Sequence, residues 1–507
     1  VLSACLFGLD CEKVRVESDI ESGLPSFNIV GLANRAISES RDRIRSAVQN
    51  SGFDFPDTRI TVNLTPAGIQ KEGSHFDLAI ALALLESSGQ LSGLSAYDDM
   101  AFIGELTLNG RINPVSGLLP MVIGLREQGV KRIMLPKGNI KEARLISDVA
   151  LYPSESLSEA VAHITGKAPI MRDLGKPEST AGTVPAEDFI DIRGQEQVKR
   201  AAQIAAAGFH GMLMIGPPGV GKSMVGKRIP GIMPEMTYNQ MLESTQIYSI
   251  AGQLDENLPV ISQRPFRNPH HSLSSAALVG GGSYPRPGEV SLAHNGVLFL
   301  DELPEFSAKL IESLRQPLED GKLTIVRTAG KCTFPSRFML VAAMNPCRCG
   351  YYGDPKRRCS CTESDRLRYI SKISGPLLDR IDLHIAMQRP QYSELSGGDS
   401  GRAVPSSVLR EAVLIADGIQ KKRYGAEHIK SNSLLTPAMI KKYCVMEDGA
   451  EDVLKTAFTK FRLSARSYHR IIKVARTIAD LEAAEKISKK HVLEALSYRL
   501  PDDFFRG

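Results

Sequence analysis

GMLMIGPPGVGKS, residues 211–223, joins an apolar run to a glycine-rich turn that leads into a helical segment. The turn has the spacing G-x-x-x-x-G-K-S, which in this strand-to-helix context is typical of a phosphate-binding loop. Glycines let backbone N–H groups face phosphate oxygens, the lysine supplies positive charge, and the serine hydroxyl ligates magnesium. We therefore predict an α/β fold with a nucleotide site formed by Gly216, Pro217, Pro218, Gly219, Val220, Gly221, Lys222 and Ser223.

Two later apolar runs also end in polar residues, as strands of a nucleotide-binding sheet should. GVLFLDE (296–302) ends in Asp301 and Glu302, and RFMLVAAMN (337–345) ends in Asn345. We expect Asp301 to hold a magnesium ion, directly or through water, and Glu302 to polarise the attacking water. Asn345 would position that water near the γ-phosphate. Acidic strand ends also serve as helix caps, but a P-loop upstream favours the catalytic interpretation.

An arginine, Arg380, lies between two acidic residues in SGPLLDRIDLHI (374–385). A surface salt bridge at this position would contribute under about 1 kcal/mol. We favour an arginine finger, which would be presented to the γ-phosphate bound by a neighbouring subunit.

Four cysteines follow Asn345 closely, in the order C-x-C-x9-C-x-C within the loop 346–362. Four thiolates can close a tetrahedral zinc site and would order a loop rich in Gly, Pro and charged residues. C-x-C is tighter than the usual C-x2-C, so four free thiols in a solvated loop remain the alternative. The predicted zinc ligands are Cys347, Cys349, Cys359 and Cys361.

The composition is that of a globular protein, with 42% hydrophobic and 23% charged residues among 507, a length that suggests about three domains. The formal charge of 62 − 57 = +5 is too small for a histone-like protein, so nucleic-acid binding would need local basic patches. No apolar run reaches the ~18 residues of a membrane span. The start, VLSACLFGLDCEK, is too short and too soon acidic for a secretory leader. We expect a cytoplasmic protein without membrane contact.

Changes in composition and in hydrophobic pattern divide the chain into three folded parts. Residues 1–166 alternate short β-type runs with helical ones and predict an α/β domain. A stretch rich in Pro, Gly, Ser and Thr at 167–187 reads as a linker. Residues 188–390 form the P-loop core, and long amphipathic runs in 391–507 predict a helical domain.

Longer motifs point to a known family. They are GPPGVGKS, the stretch from RPFRNPHH to FLDELPEF (264–306), LRQPLEDGKL (314–323), LVAAMNPCRCG (340–350) and ISGPLLDRID (373–382). Together they resemble the ComM/YifB group of the bacterial magnesium-chelatase-like AAA+ ATPases, and the resemblance covers nearly the whole chain.

This resemblance implies a AAA+ module that uses ATP and Mg²⁺ and works as a homo-oligomeric ring, usually a hexamer. It also implies a DNA helicase that binds single-stranded or branched DNA and promotes branch migration in natural transformation. Within it Asn345 takes the sensor 1 position, Arg380 the arginine finger, and Arg466 the sensor 2 of a helical lid. The alternatives are a protein-remodelling or chelatase-type motor acting on a partner protein, and a non-motor scaffold. Stimulation of ATP hydrolysis by DNA would distinguish the DNA helicase from these alternatives.

Residues 71–90 and 101–139 resemble the proteolytic domain of Lon-type proteases. In that family a serine nucleophile works with a lysine base. Here the serine position falls on His75 and the lysine position on Leu119, while Ser74 is displaced by one residue. We therefore expect a Lon-protease-like scaffold without a peptidase dyad, used in ring assembly or DNA contact.

Two insertions flank the nucleotide core and are candidates for DNA contact. Residues 320–338 read as a hairpin with Lys322, Arg327 and Lys331 around its tip, where positive charge would track a phosphate backbone. A generic surface hairpin is the alternative. Residues 264–288 are expected to form a basic pore-facing loop, in which adjacent histidines at 270 and 271 point apart with no acidic partner near.

The C-terminal part carries further basic residues at helical spacing, which predict a stripe along one helix face. The sequence is equally consistent with DNA contact and with simple solvation of this face. The stripe consists of Arg462, Arg466, Arg470 and Lys473.

Overall fold

The computed structural model describes residues 1–32, 35–175, 187–255, 259–282, 284–327, 330–389, 404–425, 427, 429–461 and 463–499. They form an N-terminal α/β unit, a second α/β unit built on a parallel sheet, and a C-terminal group of helices. The predicted mixed α/β fold with a parallel sheet is therefore present. Throughout the described residues, every helix is too short or too polar to cross a bilayer.

The N-terminal unit is built on a seven-stranded sheet in the order β3-β4-β2-β1-β5-β8-β9, with a separate short hairpin, β6-β7. Its strands are β1 Leu2–Phe7, β2 Asp10–Glu21, β3 Ser26–Val30, β4 Arg59–Thr65, β5 Met100–Phe102, β6 Glu105–Leu106, β7 Ile112–Asn113, β8 Arg132–Pro136 and β9 Ala150–Ser154. Its helices are α1 Arg35–Asn50, α2 Asp77–Ser87, α3 Leu118–Glu127, α4 Ile140–Ala143 and α5 Leu157–Ile164.

The apolar patterns of this unit explain its packing. In β4 the sequence RITVNLT alternates between buried apolar and more exposed residues, which is the pattern of a strand with one face on a core. Helix α2 is buried along nearly its whole length because DLAIALALL is apolar on every side.

The second unit contains the five-stranded parallel sheet in the order β11-β12-β15-β10-β16, together with the hairpin β13-β14. Its strands are β10 Met212–Ile215, β11 Phe266–Arg267, β12 Val297–Leu300, β13 Lys322–Arg327, β14 Gly330–Pro335, β15 Met339–Met344 and β16 Leu383–Ala386. Its helices are α6 Glu196–Gly208, α7 Lys222–Ile232, α8 Tyr238–Ala251, α9 Ser275–Val279, α10 Glu289–Leu292, α11 Ala308–Ser313, α12 Arg315–Asp320, α13 Glu363–Ile370 and α14 Gly375–Leu378.

The three central strands of this sheet are buried at every residue, as expected for strands covered on both faces. Val341 of β15 is paired with Met212 of β10 on one side and with Phe299 of β12 on the other. Because the strands are parallel and paired in register, the residues that follow them lie together at one edge of the sheet.

The hairpin β13-β14 packs back onto the N-terminal unit. Its inward side chains Ile325, Cys332 and Phe334 form a small apolar cluster with partly buried Phe7, Leu9 and Ile250. The hairpin is therefore fixed along one face.

The C-terminal helices are α15 Ser406–Tyr424, α16 Pro437–Tyr443, α17 Asp448–Lys460, α18 Ala465–Leu481 and α19 Lys489–Ser497. Helix α18 is amphipathic and packs on α6, where Ile471, Ala475 and Ile478 join the apolar core of the parallel sheet. These helices thus share one core with the second unit.

The predicted linker at 167–187 is only partly described. Near its start, Asp173 exchanges backbone hydrogen bonds with Leu151 and forms an ion pair with Arg144. The chain therefore stays attached to the N-terminal unit at this point. Residues 176–186 of the linker and residues 390–403 lie outside the described residues.

Candidate active site

The predicted phosphate-binding loop connects β10 to α7. Gly219 and Gly221 have φ angles of 79° and 93°, a left-handed conformation that favours glycine. Lys222 is the first residue of α7, so the loop ends at a helix N-terminus, whose free N–H groups and dipole attract anions.

Lys222 connects this loop to the next strand. Its Nζ donates hydrogen bonds to the carbonyl oxygens of Gly216 at 2.6 Å and Pro217 at 3.0 Å, and to Asn345 Oδ1 at 3.0 Å. Burial lowers the pKa of Lys222 from 10.5 to about 8. The predicted lysine and the predicted sensor residue are therefore brought into direct contact.

The carboxylate at the end of β12 meets the loop from the other side. Ser223 Oγ donates to Asp301 Oδ2 at 2.6 Å. A hydroxyl and a carboxylate are hard oxygen donors of the kind that magnesium prefers, and here they converge at the mouth of the loop. Ser223 and Asp301 therefore fit the predicted magnesium site.

Glu302 is the next residue and has φ 52° and ψ 47°, a conformation that is uncommon for a non-glycine residue. Its N–H donates to Asp301 Oδ1 at 2.9 Å, and its side chain is more than half exposed. The carboxylate is thus accessible to solvent beside Ser223 and Asp301, as a base that accepts a proton from water must be.

The prediction for the adjacent histidines was wrong. The rings of His270 and His271 lie with centroids 4.1 Å apart, and His271 Nδ1 is 3.9 Å from Glu302 Oε2. No local sequence pattern indicates this contact, because strand β11, which pairs with β12, is only two residues long.

Arg380 and Arg466 meet at a third residue that sequence reasoning missed. Both guanidinium groups bind the carboxylate of Glu319 at the end of α12, Arg380 through Oε2 and Arg466 through Oε1 at 3.0 Å. The hydrogen bond from Arg380 lowers the pKa of Glu319. Arg466 therefore lies beside the predicted finger. The sequence signal for Glu319 is its place in the family motif LRQPLEDGKL at 314–323.

The four predicted zinc ligands form a compact cluster. Their sulfur atoms all lie within 4.8 Å of one another, and Cys347, Cys349 and Cys359 are separated by 3.4 to 3.6 Å. A zinc ion with four sulfur ligands at about 2.3 Å requires sulfur separations of about 3.8 Å. Burial raises the pKa of Cys349, but N–H groups of Tyr351 and Ser360 outweigh this and lower it to about 5. The donor set fits zinc.

The cysteine loop also touches the phosphate-binding loop. A side-chain carbon placed on Gly350 would lie 2.7 Å from Pro218 Cδ, so the two backbones are in close contact. Gly350 has φ 87° and lies between the first cysteine pair and the second. The conformation of the cysteine loop is therefore coupled to that of the phosphate-binding loop through this contact.

The predicted hairpin is present, but one of its charges lies elsewhere. Arg327 pairs with Gly330 and Val326 with Lys331 near the tip, whereas Lys322 pairs with Pro335 at the opposite end. Lys322 and Arg327 are five positions apart along the strand, a distance of about 17 Å. The placement of Lys322 at the tip was therefore wrong.

Two arginines of the insertion 264–288 form hydrogen bonds within the protein. Arg264 Nη1 donates to the Asn295 carbonyl at 2.7 Å, and Arg267 forms two hydrogen bonds of 2.6 Å with Glu289. They anchor the insertion and add little free positive charge to it, whereas the pore-facing position of the loop 264–288 stays a prediction.

The basic stripe of the C-terminal part does not form a free surface. Arg470 pairs with Asp382 at 3.4 Å, and Lys473 Nζ donates to the Ser433 carbonyl at 2.9 Å. Burial lowers the pKa of both side chains. Arg462 lies outside the described residues. The stripe therefore connects α18 to its neighbours and is a poor candidate for DNA contact.

Comparison with known proteins assigns the chain to a family. The profile described as magnesium chelatase, subunit ChlI, matches residues 188–395, that of subunit ChlI of Mg-chelatase matches 16–139, and the subunit ChlI C-terminal profile matches 403–499. Competence protein ComM of Haemophilus influenzae is 42% identical over 506 residues, which cover 98% of this chain and 97% of that protein. The uncharacterized protein YifB of Salmonella typhimurium is 42% identical over 501 residues, covering 98% and 96%.

This chain belongs to the ComM/YifB group of magnesium-chelatase-like proteins. The family predicted from the motifs is thereby confirmed. The members of the group cover almost the full length of this chain, so its N-terminal unit, P-loop unit and C-terminal helices occur together in them.

A shorter similarity relates this ComM/YifB-group chain to Lon proteases. The Lon protease of Brevibacillus choshinensis is 27% identical over 171 residues, which cover 31% of this chain and 22% of that protease. At the position predicted for the nucleophile, His75 is buried and hydrogen-bonded to the Ala4 carbonyl at 2.8 Å, and burial lowers its pKa to about 4. Leu119, at the position of the lysine base, is fully buried. Ser74 is hydrogen-bonded to Glu105. The positions of the Lon serine and lysine are therefore occupied by a buried histidine and a buried leucine.

Proposed function

We propose that this chain is an ATP-hydrolysing motor that acts on DNA as a ring of identical subunits, usually six. The observation that carries the proposal is the direct connection of Lys222, Ser223, Asp301 and Asn345 at the carboxyl edge of one parallel sheet. These residue types in this arrangement provide what phosphoryl transfer from Mg-ATP requires.

Hydrolysis follows from the placement of the side chains. A magnesium ion held by Ser223 and Asp301 would neutralise phosphate charge. Lys222 exchanges its carbonyl acceptors for phosphate oxygens, which are stronger acceptors for an ammonium group. Glu302 accepts a proton from water as the water oxygen bonds to the γ-phosphorus and the bond to the leaving oxygen breaks. Asn345 orients this water.

The neighbouring subunit completes the proposed site. Arg380 acts on the γ-phosphate held by the adjacent chain, which is the established way for an arginine finger to stabilise transition-state charge. Arg466 shares Glu319 with Arg380 and lies on the same side of the subunit. We therefore place the sensor 2 arginine at the same interface, and the helices of residues 391–507 act on the adjacent nucleotide.

DNA is the proposed substrate for two reasons. The relative from Haemophilus influenzae is named a competence protein, so DNA taken up in natural transformation is the substrate by this analogy. Near the hairpin tip, Arg327 and Lys331 are exposed and bear positive charge, which suits a phosphate backbone. Such a motor works in the cytoplasm, as helicase or branch-migration enzyme.

A second candidate is a protein-remodelling or chelatase-type motor. The observation favouring it is that the profiles matching this chain bear the name of a magnesium chelatase subunit. Such a motor would need its partner protein, and DNA would not change its ATP turnover.

We further propose that the four-cysteine cluster holds one zinc ion with a structural role. The ligands are Cys347, Cys349, Cys359 and Cys361. The ion would fix the loop 346–362 against Pro218 and so maintain the shape of the phosphate-binding loop.

Steady-state ATP hydrolysis with and without single-stranded DNA tests the DNA motor. We expect stimulation by DNA that is lost in the double variant Arg327→Ala/Lys331→Ala and retained in Lys322→Ala, the matched control at the other end of the hairpin. The double variant should also flatten the slope of log affinity against log salt by up to about 1.4, because each phosphate contact contributes about 0.7. Absence of stimulation in the unaltered protein would favour the partner-protein motor.

A further inference from the structure

The cysteine loop, residues 346–362, concentrates positive charge at the surface. It carries four basic residues and one acidic residue, a formal charge of 4 − 1 = +3. The acidic residue, Asp354, forms an ion pair with Arg389 at 2.9 Å, and its side chain is almost fully buried. The charge that the loop presents to solvent is therefore positive. The exposed basic residues are Arg348, Lys356, Arg357 and Arg358.

Two tyrosines form a turn inside this charged loop. The N–H of Asp354 donates to the Tyr351 carbonyl at 3.1 Å, which places Tyr352 at the corner of the turn. The guanidinium carbons of Arg357 and Arg389 lie 5.2 and 5.6 Å from the centre of the Tyr351 ring. Arg357 Nη1 also donates to the Tyr351 hydroxyl at 2.8 Å. Contacts with its neighbours therefore fix Tyr351, and the turn with it.

Tyr352 is held in place but remains accessible. The guanidinium carbon of Arg366, a buried residue of α13, lies 4.7 Å from the centre of the Tyr352 ring. Tyr352 is nonetheless 46% exposed. An aromatic ring that is positioned by a cation and open to solvent is a platform on which a nucleobase can stack.

Lys356 and Arg358 are the basic residues left available close to this ring in sequence. Within the described ranges, neither side chain is ion-paired with a carboxylate. Exposed positive charge and an exposed aromatic ring suit a ligand with regularly spaced phosphates and free base faces. Single-stranded DNA offers both in every nucleotide, whereas a duplex stacks its bases internally. The composition of the loop therefore matches a single strand best.

We propose that the cysteine loop is a contact site for single-stranded DNA, in which Lys356 and Arg358 bind phosphates and a base stacks on Tyr352. The site is additional to the hairpin tip that carries Arg327 and Lys331. It rests on the proposed function, because DNA is its ligand, but binding at this site does not require ATP hydrolysis.

Equilibrium binding of the full chain to fluorescent oligo-dT, measured over a range of salt concentrations, tests the two charges. Lys356→Ala/Arg358→Ala should flatten the slope of log affinity against log salt by up to about 1.4, because each phosphate contact contributes about 0.7. Lys441→Ala/Lys455→Ala removes two exposed lysines of α16 and α17 and is the control with an unchanged slope. Both variants should keep the zinc content and thermal unfolding of the unaltered protein.

An abasic oligonucleotide of the same length tests the stacking. The unaltered protein should bind oligo-dT more tightly than the abasic strand. Tyr352→Ala should reduce this preference at least about fivefold and leave the salt slope unchanged, because it removes a stacking surface and no charge. Tyr352→Phe keeps the ring and should keep the preference. Thermal unfolding of both tyrosine variants shows whether the loop and the sheet remain folded.

Two results would overturn the site and leave the DNA motor standing. One is an unchanged salt slope in the Lys356/Arg358 variant together with an unchanged preference in Tyr352→Ala. The other is loss of zinc in the Lys356/Arg358 variant with an unchanged slope, which would mean that these charges only neutralise the thiolates. An unaltered protein that binds both strands equally would overturn the stacking on Tyr352.

The behaviour of the unaltered protein separates this site from the proposed function. If oligo-dT binds with the expected dependence on Lys356, Arg358 and Tyr352 but does not change ATP turnover, the site is supported and the DNA motor is not. If the unaltered protein fails to bind oligo-dT at all, both are contradicted.

Discussion

Lys222 and Glu302 contact the nucleotide site in different ways, and this difference separates binding from hydrolysis. Lys222 is buried and bonded to the loop and to Asn345, so its charge acts on phosphate in the ground state. Glu302 is exposed and bonded to the site only through its backbone N–H. Its carboxylate is required only when water is activated.

Lys222→Ala should therefore abolish ATP binding, whereas Glu302→Gln should bind ATP with unchanged affinity and lose hydrolysis. Equilibrium titration with a fluorescent ATP analogue measures the affinities, and phosphate release measures turnover. Lys227→Ala, at an exposed position on the same helix, is the matched control and should behave as the unaltered protein. Normal ATP affinity in the Lys222 variant would refute the assignment.

The lowered pKa of Lys222 predicts a pH dependence of ATP binding. With a pKa of about 8, the side chain loses its proton as pH rises from 7 to 9, while bound phosphate favours the protonated form. Binding above pH 8 must then take up a proton, so affinity falls with rising pH. Between pH 7 and pH 9 the loss should be about tenfold.

The same titration in Lys222→Arg supplies the comparison, because arginine stays charged across this range. Its affinity should be nearly constant with pH, whatever its absolute value. A pH-independent affinity in the unaltered protein would contradict the lowered pKa.

At the scale of elements, the cysteine loop and the phosphate-binding loop depend on one another. Gly350 packs on Pro218, and Cys347 is only two residues beyond Asn345. The strands β10 and β15 have their own apolar core, so the sheet does not need the metal. The loops at its edge are the part that the zinc would order.

Elemental analysis should find about one zinc per chain in protein purified without chelators. Cys359→Ser should lose this zinc and raise the KM for ATP several-fold, because Pro218 loses its support, while the thermal unfolding of the sheet changes little. Cys11→Ser, at a half-buried cysteine of the N-terminal unit, is the control and should keep its zinc. Zinc content near zero in the unaltered protein would refute the site.

The elements that sequence reasoning predicted are those with a local signal. The apolar runs before Gly216, Asp301 and Asn345 form the strands β10, β12 and β15, as short apolar runs bounded by glycine or polar residues predict. The cysteine cluster was also predictable, since its ligands are close in sequence.

The contacts that were missed or misplaced join segments far apart in the chain. The pairing of His271 with Glu302 depends on a two-residue strand, and the meeting of Arg380 with Arg466 depends on where α18 packs. The pairing of Arg470 with Asp382 also depends on where α18 packs. No local pattern encodes such tertiary geometry.

At the scale of the whole molecule, the segment that carries Arg380, the proposed arginine finger, is bonded to the C-terminal helices. His210 is hydrogen-bonded to Asp382 and to Thr477 of α18, each at 2.8 Å, and Arg470 pairs with the same Asp382. Asp382 is two residues beyond Arg380. The finger and α18 are therefore held together and would approach an adjacent subunit as a unit.

Arg380→Ala should leave ATP binding nearly intact and reduce turnover by about 10³-fold, as loss of an arginine finger does. Mixing it with Glu302→Gln should restore part of the activity, because a chain with intact Glu302 then receives Arg380 from its neighbour. Arg466→Ala should also recover part of its ATP turnover when it is mixed with Glu302→Gln. Arg315→Ala, whose partner is Glu312, is the control with normal turnover. Failure of rescue at every ratio, in assembled rings, would exclude action between subunits.

The decisive experiment for a DNA motor is movement of a branch or strand on labelled branched DNA, followed by fluorescence energy transfer. The unaltered protein should displace the labelled strand with ATP, and Glu302→Gln, which binds ATP without hydrolysing it, should bind the DNA and leave the strand in place. Strand displacement by both proteins would separate the movement from hydrolysis. If the unaltered protein hydrolyses ATP with no displacement on any branched substrate, the DNA motor is contradicted.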